Sequence, residues 1–343
     1  MTRYELRDVP VGLGASGTRR DRDKLGPIEV PADRYWEAAT QRALNASPGS
    51  MDCMPEAFFR GCGTIKRAAA AMNAQAGRLA PWKSAAIARA ADDLIAGRLA
   101  DQFPLPVWHA GWGQDADTNV NEVLANRAAQ LLGLAAGRSE PIDPARDVAM
   151  AQRLGPTFTA SMYVATVMAI ESTLVPRCLA MVRAIESRAV KASDLGRRIR
   201  AALLRLDEAE GSLHEFGADP EDADWPVAVA LAAADTGRPF IVTPDGFSLG
   251  GSIDAMVAAM AAVRGLAIVL QDVAGAIGGN RGAEAMAAIC TYVIGQDQMA
   301  VSAAHGGGSA CMARPLIAAA VLNALRRLGD GCEAMRRAVV AAR

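Results

Sequence analysis

The stretch TASMYVATVMAIESTLVPRCLAMVRAIESRAVKA, residues 159–192, is apolar on most of its helical faces. Runs such as MYVATVMAI and LVPRCLAMV leave no continuous polar side for water. A helix built from them must be surrounded by other helices. Pro176 lies inside the stretch and predicts a kink, because proline removes a backbone donor and crowds the preceding turn. A second apolar stretch, IDAMVAAMAAVRGLAIVLQDVAGAI (Ile253–Ile277), has the same character. Asp254, Arg264 and Asp272 interrupt it, which leaves charge-free runs too short for a bilayer and predicts a buried helix. Ser252 with Asp254 suits its N-terminus, and Gly278–Gly279 ends it.

The rest of the chain reads in the same way. Hydrophobic residues make up 51% of the 343 residues but aromatics only 5%, so alanine, leucine, valine and methionine carry the apolar content. That balance favours close-packed helices over a β-sandwich. Residues 1–25 lack apolar periodicity and are expected to form a loose arm. GPIEVPADRYW (Gly26–Trp36) reads as a turn and a short extended piece. Helices are expected from about Pro55 to Leu134, with breaks at Gly77, Pro81, Gly97 and Pro104–Pro106. Further helices are expected at Leu195–Leu213, Pro226–Thr236, Ala283–Ala303 and Arg314–Leu328, then a last one at the C-terminus. The fold class is therefore all-α. An N-terminal helical domain (26–150) precedes a long central helical bundle (151–343).

The formal charge is −1, with both signs interspersed, which gives no surface for nucleic acid. Arg197–Arg198–Arg200 and Arg326–Arg327 read as solvated helix faces. The six cysteines form no Cys-x-x-Cys pair and have no histidine at ligand spacing, so reduced thiols are expected and no metal. The N-terminus has no signal-peptide core, and a cytoplasmic location without membrane attachment is expected.

Four stretches in order resemble the class II fumarase/aspartase superfamily: DKLGPIEVPADRYWEAATQRALN (Asp23–Asn45), IKRAAAAMNAQAG (Ile65–Gly77), AIARAADDLIAG with FPLPVW (Ala86–Trp108), and NVNEVLANRAAQLLG (Asn119–Gly133). Beyond Ala149 the resemblance continues in the helix around Pro176 and in Glu284–Val340. It implies three helical regions and a tetramer whose central helices pack together, each active site drawing on three subunits. It also implies that the family's small C-terminal domain is absent here, and that no cofactor is used.

The resemblance fails where the family's chemistry resides. Family members carry Gly-Ser-Gly-Thr where this chain has Gly111-Trp112-Gly113-Gln114, and Asp117 replaces an asparagine. The Ser-Ser-Asn-Asp motif aligns with Arg153-Leu154-Gly155-Pro156. No equivalent is found for the family's Gly-Arg-Thr-His-Leu-x-Asp-Ala loop, or for Gly-Ser-Ser-x-Met-Pro-x-Lys-x-Asn. Elimination across a succinate-type backbone needs a base for the proton beside a carboxylate, and donors for the charge that develops. With both loops gone, those groups are missing together.

The residues left at the inherited site are His109, Asp115 and Asp117 as acid–base candidates, and Trp112, Gln114, Asn119 and Asn121 as ligand contacts. Each has a plain alternative. His109 suits packing and capping, the two aspartates favour a helix N-terminus, and an indole entering a former pocket fills it. His214 and His305 read as surface residues. AHGGGSA (Ala304–Ala310) lacks the Lys-Ser/Thr of a phosphate loop. The preferred reading is a catalytically degenerate homologue with a scaffold or regulatory role. It would form a homo-oligomer (tetramer or dimer) or co-assemble with an active fumarase-like homologue. The alternative is a redirected lyase built around His109 and Trp112, and the third reading is fumarate hydratase itself.

Overall fold

The computed structural model describes residues 4–47, 52–109, 111–134, 141–187, 192–217, 224–243, 249–305 and 310–341. A hairpin of β1 (Thr18–Asp23) and β2 (Gly26–Pro31) leads into α1 (Ala38–Ala46), α2 (Glu56–Gln75), α3 (Pro81–Ile95) and α4 (Trp112–Leu131). Helix α5 (Leu154–Ala169) runs through a π-helical turn, Ile170–Leu174, into α6 (Val175–Glu186). Next come α7 (Ala192–Gly211), a 3₁₀ turn at Ser212–His214, β3 (Glu215–Gly217), α8 (Trp225–Thr236) and β4 (Ile241–Thr243). Three long helices, α9 (Leu249–Ile277), α10 (Arg281–His305) and α11 (Ala310–Ala341), complete the described chain. The architecture is all-α, with two small two-stranded sheets, β1–β2 and β3–β4.

The chain divides into two compact units. The first comprises Met1–Met162 and Phe216–Phe247; the second comprises Tyr163–Glu215 and Ser248–Arg343. Helix α8 belongs with the N-terminal unit because it packs on α2, where Arg67 pairs with Asp235 at 2.9 Å and Arg78 pairs with Asp224. In this unit α2 lies close against α3. A Cβ at Gly63 would stand only 3.0 Å from Ile95 Cγ1 and 3.3 Å from the Ala91 carbonyl.

One buried carboxylate of the first unit gathers three cations. Asp93, fully buried, accepts from Arg89, Arg98 and Arg127, with Arg127 Nε at 2.6 Å. Three guanidinium partners hold its carboxyl below the usual range, against the opposing effect of burial. Arg127 also donates to the carbonyls of Val9 and Pro10, Gln130 donates to the Gly12 carbonyl, and Tyr35 Oη accepts from the Gly12 N–H. The segment expected to be a loose arm is thus held down as far as Gly12, and Thr18–Asp23 forms a paired strand. Apolar periodicity did not reveal this, because the arm is fixed through its backbone carbonyls rather than its side chains.

In the second unit α10 packs on α9 and α11, α6 on α11 and α7, and α7 on α9. Where a kink was expected, a π turn directly precedes Pro176, which stands in the first turn of α6, where a missing backbone donor is tolerated. The helix expected at Arg314–Leu328 and the last helix expected after it are one helix, α11, which runs on through Gly329 and Gly331. Those glycines mark close approach rather than a break. A Cβ at Gly331 would meet Ile289 Cδ1 at 3.0 Å, and one at Gly329 would meet Arg177 at 3.4 Å. By length and mean hydropathy, the stretches Leu154–Glu186 and Ser252–Ile277 are long and apolar enough to cross a membrane. The interrupting charges thus leave the second stretch more apolar than its charge-free runs suggest. One of those charges, Arg264, is matched at 3.1 Å by Asp297, a fully buried residue of α10.

Candidate functional site

Helix α4 begins where Gly111 adopts φ 78°, ψ 11°, a left-handed conformation that glycine takes without strain. This reverses the chain and sends the first turn of α4 back past the preceding loop. Two clusters result. In the first, the His109 ring is buried, with Nε2 2.6 Å from Asp115 Oδ2 and Nδ1 3.0 Å from Ser47 Oγ. Ser47, just past the end of α1, donates to the Ala43 carbonyl at 2.7 Å. In the second, Lys66 Nζ donates to Asp117 Oδ1 at 2.7 Å, and Asn121 Nδ2 donates to Asp117 Oδ2 at 2.9 Å. The Lys66 side chain is 1% exposed and that of Asp117 20%.

The remaining candidates separate from these clusters. Asn119 is buried and donates to the Gln102 carbonyl at 3.1 Å, so it braces the chain rather than facing a ligand. Gln114 is exposed. The side chain of Trp112 lies outside the described residues. Beside Gly113 and Asp117 is a cavity of about 10 Å³, lined by Phe58, Leu154 and Phe158 with Cys62, Thr157 and Ser161 among them. That volume admits about one water molecule and no dicarboxylate. Burial pushes the Cys62 thiol up to about 12, so it is no nucleophile at neutral pH.

Next to the site, Glu122 Oε2 accepts from the Glu37 N–H at 2.8 Å and from the Thr40 hydroxyl. Burial, joined at Glu37 by the Glu122 charge, raises both carboxyls to about 7. They brace α1 against α4. Lys66 and Ser47 are the residues that sequence reasoning missed. Lys66 was detectable as the one cation on the buried alanine face of α2; Ser47 gave no signal, since contact across 62 positions is not written in local pattern.

A family model described as lyase matches residues 26–196. The class II fumarate hydratase of Methanosarcina acetivorans is 34% identical over 394 aligned positions, covering 96% of this chain and 81% of its own. This chain belongs to the fumarase/aspartase superfamily. The class II fumarate hydratase of Myxococcus xanthus is 32% identical, with 94% of this chain and 83% of that one covered. Among solved structures, the fumarate lyase:delta crystallin of Brucella melitensis superimposes with a TM-score of 0.84 at 24% identity, covering 94% of this chain and 87% of that one. The class II fumarase of Schistosoma mansoni gives 0.83 at 20% identity, covering 94% and 84%. These two likenesses establish the fold. A fumarase-like lyase scaffold therefore carries, at its Gly-x-Gly loop, side chains paired with one another.

Proposed function

We propose that this chain is a catalytically degenerate member of the fumarase/aspartase superfamily, with a scaffold or regulatory role in the cytoplasm. The observation that carries the reading is the 2.7 Å pair between buried Lys66 and Asp117. A dicarboxylate substrate needs free cations and hydroxyl donors at this loop. Here the nearest buried cation is already neutralised by a carboxylate of the chain itself, and a second substrate anion would be repelled. Self-association is the corollary. Ile268 on α9 and Tyr292 on α10 leave large apolar side chains 46% and 43% exposed, as helices that pack against a second copy or an active relative would.

The test is turnover: purified protein, fumarate with and without ammonium, products followed by proton NMR over many hours. No malate or aspartate above a protein-free control is expected. Product that scales with protein concentration overturns the reading. Co-purification from native cells tests co-assembly, and recovery of the homomer alone removes that part.

One observation favours the redirected-lyase alternative. His109 bridges Ser47 and Asp115, so a carboxylate orients the ring on one nitrogen while the other faces a hydroxyl. On that reading His109→Ala abolishes whatever turnover an NMR screen of unsaturated acids detects. Under the degenerate reading the same screen stays flat.

A further inference from the structure

We infer that Glu171, Glu210 and His214 form a binding site for one divalent transition-metal ion, where the sequence pattern alone suggested no metal. The three residues come from three elements of the second unit. Glu171 lies in the π turn Ile170–Leu174, Glu210 on the last turn of α7, and His214 at the end of the 3₁₀ turn that follows. Glu210 and His214 are four positions apart and share a face. Their side chains are 4% and 15% exposed, and that of Glu171 31%. His214 Nε2 stands 3.9 Å from Glu171 Oε1 and 3.9 Å from Glu210 Oε1, and the three ligand atoms all lie within 4.8 Å of one another.

The spacing is informative. Each Nε2–Oε1 separation of 3.9 Å is longer than a hydrogen bond. Ligands at about 2.1 Å from one ion lie roughly 3–3.5 Å apart in octahedral or tetrahedral geometry. To meet that geometry the imidazole needs to approach each carboxylate by about 0.4–0.9 Å and the two carboxylates each other by up to about 1.8 Å, movements that side-chain rotations supply. The charge also fits, since two carboxylates and a neutral imidazole present −2 to a dication. The ligand types narrow the ion. An all-oxygen set would suit calcium or magnesium, whereas one imidazole with two carboxylates suits ions of intermediate hardness such as Zn(II) or Co(II). Three protein ligands leave at least one position for water. A π turn widens a helix locally and is a frequent location for ligand-holding side chains. Here the ion would tie that turn to the end of α7.

The site is tested with Zn(II) and Co(II) as the only added ligands. Chelator-treated full-length protein is reloaded, desalted and analysed for metal content. One equivalent per chain is expected. Glu171→Gln and His214→Asn should weaken binding by more than about 100-fold, since even the outer partners of metal ligands cost about 10–100-fold. Both variants should keep the wild-type far-UV circular dichroism, and Glu171→Gln, the most exposed of the three, guards against a variant that fails to fold. Bound Co(II) should lack the intense thiolate charge-transfer bands of cysteine ligation. Failure of wild-type protein to retain either ion overturns the site. So does binding by both variants equal to wild type, or a thiolate spectrum, which would place the ion at the buried pair Cys178–Cys332 instead.

Discussion

Replacing Asp117 with asparagine restores the residue type that the superfamily resemblance implies, and it should destabilise the chain. In the native structure Asp117 is the partner of Lys66, whose side chain is 1% exposed. Removing one member of a buried ion pair costs about 3–5 kcal/mol, mostly because the survivor is left charged and unpaired. Two features pull the figure to the lower end. Asp117 is itself 20% exposed, so water reaches the site, and an asparagine oxygen can still accept from the ammonium. A loss of about 3 kcal/mol is therefore expected, read as a lower urea midpoint at constant slope. The single change Lys66→Met should cost less, since the exposed carboxylate retains solvent. The double variant should recover to within about 1 kcal/mol of wild type, because two charges have been exchanged for an apolar stem and a neutral amide. A loss below about 1 kcal/mol for Asp117→Asn, or single losses that simply add, would refute the argument that this loop is closed by its own ion pair.

Three further outcomes follow from the same structure. Glu122 has its carboxyl raised from 4.5 to about 7, so the folded state binds a proton that the unfolded state has already released. Its contribution is complete below pH 4.5 and is lost as pH rises through 7, by up to about 3 kcal/mol; urea midpoints at pH 5 and 8 should show the fall, and Glu122→Gln should reduce it to the share that Glu37, raised over the same range, carries. Iodoacetamide on native protein should label exposed Cys53 ahead of buried Cys62, Cys178, Cys290 and Cys332, and faster at pH 9 than at pH 7 because burial raises the Cys53 thiol, read by peptide mass spectrometry. Gly282→Ala should cost about 1–3 kcal/mol, because the new Cβ would lie 2.6 Å from Ala338 Cβ and 3.0 Å from the Met335 backbone. Gly295→Ala on the same helix meets nothing within 4 Å and should be neutral or stabilising in thermal unfolding.

The helices were readable because each announces itself locally. Ile253–Ile277 and Pro226–Thr236 carry their apolar content within a few residues and both are helical, although α9 begins at Leu249, which puts Ser252 inside the helix and not at its start. The misreadings share a cause. Glycine is a breaker or a packing device depending on what lies opposite, and at Gly331 the deciding neighbours are Met286 and Ile289, more than forty positions away. The N-terminal arm looked loose because its anchors, Arg127 and Gln130, belong to α4. At the site, the sequence marked His109, Asp115 and Asp117 as chemically active types. It did not show that each already has a partner, because Ser47 and Lys66 arrive from α1 and α2. His214 read as a surface residue for the same reason, since Glu171 approaches it from a different helix.

The π turn ahead of Pro176 has a consequence for how this chain can change over time. A π turn holds one residue more than the α turn it replaces, and each residue advances a helix by about 100°. Substitution cannot undo such an insertion; only loss of a residue can. Losing any one of residues 170–174 would swing the whole of α6 by more than a quarter of a turn. Cys178 would leave its place 3.3 Å from Cys332, and Arg177 its place 2.7 Å from Asp330, both on α11. The turn therefore indexes α6 to the rest of its bundle. Apart from buried Ile170 and Leu174 and the ligand Glu171, positions there should tolerate substitution far better than any change in number.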